Sequence, residues 1–411
     1  MHSFLNEQII KPIKSTIKAK SELEFIALMA FLMANAALAI DTVLPGLGQI
    51  GDSLNVADTN DLQLVVIMIL VGLGVGQLFF GTLSDSFGRK PMVYAGILTF
   101  IVASVICMIA ESLTVMLLGR VLQGIGLSAP RSISISIIRD SYKGDRMARI
   151  MSFIAAIFII VPIVAPLFGQ LILNHFEWQY LFGFQVIFIL LVMRWFAVRQ
   201  AETLKIENKR KFTKALFVSG AKEFFKVRIS VVYTLISGLI GGSFFVYLSA
   251  SQQIFQDQYN LGDQFGYVFG ALALAMGVAS FLNSSLVLRF GMKKLSTFFL
   301  SVYCGSSLVY SLLFLNADNP SLDIAMVFFA IQFLCLGFIF GNIRSLAMEP
   351  IGHIAGIGAA INGFVSTLLS VPIAIFVGSF INGSILPVFI AFFICSFLSL
   401  LLLLFIRKES A

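Results

Sequence analysis

Twelve long apolar runs separated by short polar connections make up most of this chain. They fall at about 24–48, 62–83, 92–110, 113–138, 148–172, 178–198, 229–250, 264–288, 295–315, 322–345, 354–379 and 385–406. Each is close to the roughly 20 residues a helix needs to cross hydrocarbon. The pattern predicts an all-α polytopic membrane protein of twelve transmembrane helices. Ahead of the first run, segment 1–23 is polar and basic, with Lys11, Lys14, Lys18 and Lys20. Its Ile9, Ile10, Ile13 and Ile17 recur at helical spacing, which predicts a short helix on the membrane surface, and it lacks the cleavable apolar region of a signal peptide. The stretch 199–228 is the one long polar connection. It divides the runs into an N-terminal six-helix bundle (24–198), a basic linker (199–228), a C-terminal six-helix bundle (229–406) and a tail (407–411).

Composition narrows the class further. The 411 residues are 58% hydrophobic and only 12% charged, with mean hydropathy +0.96, against about 25% charged in soluble domains. No single soluble core can bury that much apolar surface, so soluble enzymes and disordered scaffolds are excluded. Cys107, Cys304, Cys335 and Cys395 stand singly in apolar stretches, which reads as packed thiols and not a metal or disulfide framework. There is no G-x-x-x-x-G-K-[ST], H-E-x-x-H or G-x-S-x-G, so the sequence points away from an enzyme.

The net charge of +7 comes from 28 Lys and Arg against 21 Asp and Glu. All but three of the 28 lie before the first run, in alternate connections or within two residues of a run's end on that side, including Arg89 and Lys90, Arg139 to Arg149, nine residues of 199–228, and Arg344. The opposite connections hold no Lys or Arg, only acids such as Asp52, Asp58, Asp61, Glu177, Asp257, Asp263 and Asp318. This asymmetry predicts cytoplasmic N- and C-termini. It sets basic residues against anionic lipid headgroups, with no call for a nucleic-acid partner. The remaining three, Arg120, Arg131 and Arg194, lie inside spans.

The halves repeat weakly. Phe87-Gly88-Arg89-Lys90 after the second span is echoed by Phe290-Gly291-Met292-Lys293 after the eighth, as in transporters built of related halves with a site between them. Around the first copy the chain reads Gly81-Thr-Leu-Ser-Asp85-Ser-Phe-Gly88-Arg89-Lys90-Pro91. Here it resembles the major facilitator superfamily, whose loop between helices two and three has this pattern. Ala39-Ile-Asp41-Thr-Val-Leu-Pro45, Gly76-Gln77-Leu78-Phe-Phe-Gly81, Arg120-Val-Leu-Gln123-Gly124-Ile-Gly126 and Pro162-Ile-Val-Ala-Pro166-Leu-Phe-Gly169 resemble the Bcr/CflA branch of drug/proton antiporters. The likeness is dense in the first half; in the second it rests on topology and His353-Ile-Ala-Gly356.

Within that loop, Gly81 is expected to permit close helix packing, Gly88 a tight turn, and Asp85 to cap another helix. The resemblance implies that this helix is the eleventh and that Arg89 pairs with Asp140, so that Gly81, Asp85, Gly88, Arg89, Lys90 and Asp140 gate the cytoplasmic side. A solvated basic turn that only sets topology is the competing reading. Asp41 and Arg120 both lie roughly 10–12 Å below the outer ends of their helices and are expected to share a level. Intramembrane charges of this kind are functional by default, and the resemblance ties them to proton coupling; a permanent ion pair is the alternative. Pro162, Pro166 and Gly169 suggest a bending fifth helix or an ordinary kink. Arg131 has two open readings, a counter-charge for an anionic substrate or a partner for Asp85 or Asp140. Gln123, Tyr233, Tyr247, Gln332 and Asn362, with Ser237 and Asn283, are the polar candidates for a substrate cavity.

Together these features lead to an expected function. It is a proton-coupled secondary transporter of the cell inner membrane, exporting small drug-like or amphipathic molecules by alternating access. It would be a monomer with no cofactor beyond the proton gradient. Movement of one metabolite or nutrient by the same fold, and a receptor without flux, are the other two readings.

Overall fold

The computed structural model describes residues 21–205, 207, 209 and 214–407. The surface helix expected from Ile9 to Ile17 and the end of the tail lie outside them. The described chain is helical throughout, with no strand. In order it runs α1 (Glu22–Asp41), α2 (Leu47–Ser53), α3 (Gln63–Phe87), α4 (Arg89–Met108), α5 (Leu113–Ser141), α6 (Gly144–Leu173) and α7 (Gln179–Arg199). The linker helix α8 (Lys214–Lys226) follows, then α9 (Arg228–Gln252), α10 (Phe265–Phe290), α11 (Met292–Leu313), α12 (Leu322–Met348), α13 (Ala355–Gly378) and α14 (Leu386–Arg407). Eleven helices among the described residues are long and apolar enough to cross a membrane. The fifth predicted span is α6, whose described apolar stretch is Ile160–Leu173.

The first span departs from the continuous run expected over 24–48. A proline has no N–H to give the carbonyl four residues back and collides with it. Pro45 therefore ends α1 at Asp41, and a 3₁₀ turn, Leu44–Gly46, leads into α2. Asp41 thus stands at a helix break. The linker departs as well: part of it is α8, whose Phe224 is fully buried against Ile351 and Ile361 beneath α9 and α13, while Val218 and Phe225 stay exposed.

Small residues set the closest crossings. A methyl on Gly72 of α3 would strike the Val121 carbonyl of α5, and one on Gly124 of α5 would strike the Ile69 carbonyl of α3. Gly96 of α4 and Gly126 of α5 approach each other similarly. Backbones this close gain dispersion contacts where hydrocarbon supplies no hydrophobic drive between helices. The expected close packing at Gly81 is not found: a Cβ there would meet nothing within 4 Å. The small-xxx-small spacing of Gly72 and Gly76 marks the real seam, about one and a half to two and a half turns earlier in the same helix. The repeat is visible in the backbone, since Gly88 and Gly291 both take positive φ (112° and 80°) between consecutive helices.

The helices before residue 199 meet those after 228 along two seams, α3 on α13 and α6 on α10. In the first, Gly74 faces Thr367 and Gly363 faces Gln77; in the second, Gly266 and Gly270 face Leu167 and Ile163. The helix α6 runs unbroken through Pro162 and Pro166.

Replacing Gly72 or Gly124 with leucine forces a side chain into backbone. We expect either change to remove at least 1–3 kcal/mol of stability, read as a lower melting temperature of purified protein. Gly81→Ala fills open space in a helix interior and should hold or raise that temperature, by up to about 1 kcal/mol of helix propensity.

Candidate functional site

Arg120 of α5 is fully buried and organises the first group of helices. Its Nε donates to the Val65 carbonyl of α3 at 2.8 Å, and one Nη donates to the Ala39 carbonyl of α1 at 3.1 Å and to Gln123 Oε1 at 2.8 Å. The other Nη has no partner among the described residues. Gln123 passes the network on, donating to Ser104 Oγ at 2.8 Å and to Gln185 Oε1 of α7. Gln185 closes it by donating to Thr42 Oγ1 at 2.8 Å. Five helices meet in this one polar cluster. Gln185, Thr42 and Ser104 were not singled out in the sequence; the available signal was the glutamine at 185, well inside the sixth span.

Arg120 therefore reaches the backbone two residues before Asp41, yet the two side chains form no ion pair. Asp41 is 4% exposed and makes no side-chain hydrogen bond among the described residues. It lies within electrostatic reach of Tyr247 of α9, whose buried hydroxyl also lacks a partner. The break at Pro45 is covered by α6, where a methyl on Gly169 would strike the Thr42 carbonyl and come within 2.9 Å of Pro45. The motif around Asp41 and the motif ending at Gly169 are thus packed on each other.

Hydrogen bonds joining the two groups of helices gather at the ends predicted to face outward. Asn60 Nδ2 donates to Asn382 Oδ1 at 3.0 Å, and Gln63 Nε2 to Gln253 Oε1 at 3.0 Å and to the Gly378 carbonyl at 3.3 Å. Gln170 Nε2 donates to Asp263 Oδ1 at 2.8 Å. The sequence reading missed these amides because they lie in short connections or near helix ends and carry no motif.

At the opposite end Arg89 joins three elements. It is 3% exposed, pairs with Asp85 at 2.5 Å and Asp140 at 3.0 Å, and donates to Ser84 Oγ at 2.7 Å. Asp85 points to Arg89, and among the described residues it makes no hydrogen bond to the first turn of α13; the i,i+4 partner prevails. Lys90 Nζ donates to the Ala197 carbonyl at 3.2 Å. The cap on α4 comes from Glu202 in the linker, which accepts the backbone N–H groups of Arg89 and Lys90, both at 3.0 Å, satisfying donors every helix N-terminus leaves open. Burial opposes its charge, but the N–H groups of Leu204, Lys90, Arg89 and Thr203 outweigh this and hold the carboxyl below the usual 4.5.

Most cavity candidates are engaged in packing. Gln123 belongs to the Arg120 network. Gln332 is fully buried and donates to Ser306 Oγ at 2.9 Å, and Asn362 donates to Thr234 Oγ1 at 2.7 Å, pinning α13 to α9. Asn283 and Asn342 exchange amide hydrogen bonds. Tyr233 is 3% exposed, and the Tyr233 carbonyl accepts from Ser237. Tyr247 sits in an aromatic cluster 4.7 Å from Phe333. Long polar side chains inside spans find partners because an orphaned group in hydrocarbon costs several kcal/mol, which residue type alone cannot reveal. Arg131 is the exception: it is half-buried and makes neither an ion pair nor a hydrogen bond to Asp85 or Asp140.

This arrangement is a bundle with buried polar networks, glycine seams between two helix groups and a charged clamp at one end. The chain belongs to the Major Facilitator Superfamily, whose family model matches residues 25–374. It is 29% identical over 364 residues to the uncharacterized MFS-type transporter YdgK of Bacillus subtilis (strain 168), covering 87% of this chain and 89% of that one. It is 28% identical over 399 residues to multidrug resistance protein MdtL of Escherichia coli O9:H4 (strain HS), covering 92% and 95%. The crystal structure of a D-xylose-proton symporter superposes with a TM-score of 0.71 at 14% identity, covering 93% and 97%, a likeness of fold. The protein is a multi-pass membrane transporter and not an enzyme.

Arg89→Ala leaves two carboxylates without their cation and should cost about 3 kcal/mol, read as a lower melting temperature. Arg89→Lys keeps the charge without the planar fork and should recover part of it. The Glu202 carboxyl has a lowered pKa, so its contribution is complete above about pH 4.5 and disappears as pH falls through its depressed value. A melting-temperature titration should therefore show less acid sensitivity in Glu202→Gln than in the wild type.

Proposed function

We propose that the protein is a proton-coupled antiporter of the cell inner membrane, resembling the Bcr/CflA branch, that exports small drug-like or amphipathic molecules by alternating access. On this reading α6 is the fifth of twelve spans. Both termini are cytoplasmic, the halves 24–198 and 229–406 rock about the linker 199–228, and the working unit is a monomer with no cofactor beyond the proton gradient. The observation that carries the reading is Asp41, a carboxyl inside a span, shut from water, held by no cation and next to a network that ties five helices. A carboxyl in such a place binds a proton while sealed and releases it when water arrives, so its occupancy is linked to which side is open.

The remaining parts support the same cycle. The amide contacts of Asn60, Gln63 and Gln170 hold the outer ends of the two groups together. The clamp of Asp85, Gly88, Arg89, Lys90 and Asp140 ties the cytoplasmic ends of α3, α4 and α5 into one body that moves as that side opens and closes. Pro162 and Pro166 lower the number of backbone bonds that must yield when α6 bends, with Gly169 as its bearing on the Pro45 break. The relation to proteins named for multidrug resistance supports export of varied molecules.

Proteoliposomes with an imposed pH gradient test the proposal. With a panel of amphipathic fluorophores, gradient-driven accumulation should fall at least tenfold in Asp41→Asn while exchange without a gradient persists. Unchanged gradient-driven accumulation in Asp41→Asn would refute the assignment.

A further inference from the structure

The linker helix α8 has 13 residues and is about 20 Å long, too short to cross a membrane. Its place is fixed by its neighbours. Phe224 is fully buried against Ile351 and Ile361, and a methyl on Gly220 would come within 2.9 Å of Ile357. Ile357 and Ile361 belong to the crossing-length apolar stretch Gly356–Gly378 of α13. At its other end only Val227 separates α8 from α9, whose crossing stretch starts at Arg228. Val227 is extended (φ −86°, ψ 90°), so the chain bends there instead of carrying one helix straight out into water. The side-chain seat and the chain connection together hold α8 level with the ends of α9 and α13, at the membrane boundary.

The opposite face of α8 is uncovered. Val218 and Phe225 are 49% and 55% exposed, and Lys222 and Lys226 are exposed with them. At 3.6 residues per turn these four side chains fall within an arc of about 100°, with Gly220 and Phe224 on the far side. Glu223, the one acid of the helix, falls outside that arc. Among the described residues neither lysine makes an ion pair. Apolar side chains exposed at the level of a membrane boundary meet acyl chains, and lysines one turn away reach headgroup phosphates along their long stems. Two ammonium groups attract an anionic headgroup and gain much less from a zwitterionic one.

We propose that α8 is an interfacial anchor that binds anionic phospholipid, with Val218 and Phe225 against the acyl chains and Lys222 and Lys226 on the headgroup phosphates. Phe224 is seated on Ile351 and Ile361, so lipid bound to one face of α8 is felt at the start of α13. That helix forms the seam with α3 between the two helix groups. The surface acts on the membrane and on neither substrate nor proton, and it requires only that α9 and α13 cross.

The test is fluorescence quenching in the full chain carrying an apolar bimane label at Val218→Cys, with the buried native thiols out of its reach. The vesicles hold two parts phosphatidylcholine to one part phosphatidylglycerol, and a small, equal fraction of either lipid carries a nitroxide at the top of its acyl chain. Both lipids should quench, and phosphatidylglycerol at least twofold more strongly, a difference that shrinks with added sodium chloride. Lys222→Gln with Lys226→Gln should make the two lipids equal. Lys293→Gln with Lys294→Gln removes the same charge from the exposed first turn of α11 and should keep the preference. Lys222→Arg with Lys226→Arg should keep it too. No quenching by either lipid would place the face in water or against a second copy and overturn the proposal. Equal quenching before the lysines are changed, a preference surviving the Lys222 and Lys226 glutamine variant, or displacement of the lipid by soluble glycerol phosphate would each overturn it as well.

Discussion

The side chain of Arg120 is a full positive charge inside a membrane-spanning helix, and the structure around it follows from how that charge is satisfied. Its donors go to main-chain carbonyls of α3 and α1 and to Gln123. Carbonyls are fixed by the helices that carry them, so the guanidinium locks α1, α3 and α5 in register, and Gln123 extends the lock to α4 and α7. Asp41 is left beside the network without being part of it. A direct Asp41–Arg120 pair would have neutralised both groups and removed the reason for either to change state. The arrangement instead keeps the arginine as scaffold and the carboxyl available, within electrostatic reach of Tyr247 of the opposite helix group.

The helix break at Pro45 is the second element of this design. It ends α1 at Asp41 and creates a step in the backbone that Gly169 of α6 fits, because any side chain there would collide with Thr42 and Pro45. Movement of α6 against α10 is therefore mechanically connected to the residue next to which Asp41 stands. At the ends predicted to face outward the contacts between the groups are amide hydrogen bonds, one of them to the Asp263 carboxylate, and at the opposite end the clamp of Arg89 with Asp85 and Asp140 lies within the first group. Amide contacts of about 1 kcal/mol each are suited to being made and broken in a cycle, whereas the charged clamp with its Glu202 cap keeps α3, α4 and α5 moving as one body.

Much of the fold was legible in the sequence because membrane spans announce themselves through length and hydropathy, and because Gly88 with Arg89 and Lys90 marks a turn that needs positive φ. Eleven of the twelve expected spans appear as crossing-length apolar helices among the described residues. The site was legible in part. Asp41 and Arg120 stood out as charges where charges are expensive, and they do lie at one level, but their relationship did not follow: whether a guanidinium chooses a carboxylate or a carbonyl is decided by tertiary geometry. Gly81 was misread because a glycine's packing role depends on what faces it, and Gly72 and Gly124 hold that role. Gln332 and Asn362 were taken for cavity residues on polarity alone, while burial and hydrogen bonding turn them inward. The Glu202 cap and the outer amide contacts carry no motif and emerge only from the folded chain.

The central claim is that the protonation state of Asp41 is linked to which side of the molecule is open. Spin labels at Ala57→Cys and Ala317→Cys, exposed positions in connections predicted to face outward, one in each helix group, would report the separation of those ends by pulsed electron resonance, with the buried native thiols of Cys107, Cys304, Cys335 and Cys395 out of reach of the label. The account predicts a distance distribution that shifts between closed and open populations as pH is changed in the wild type and becomes independent of pH in Asp41→Asn. The same pH-dependent shift in both proteins would contradict it.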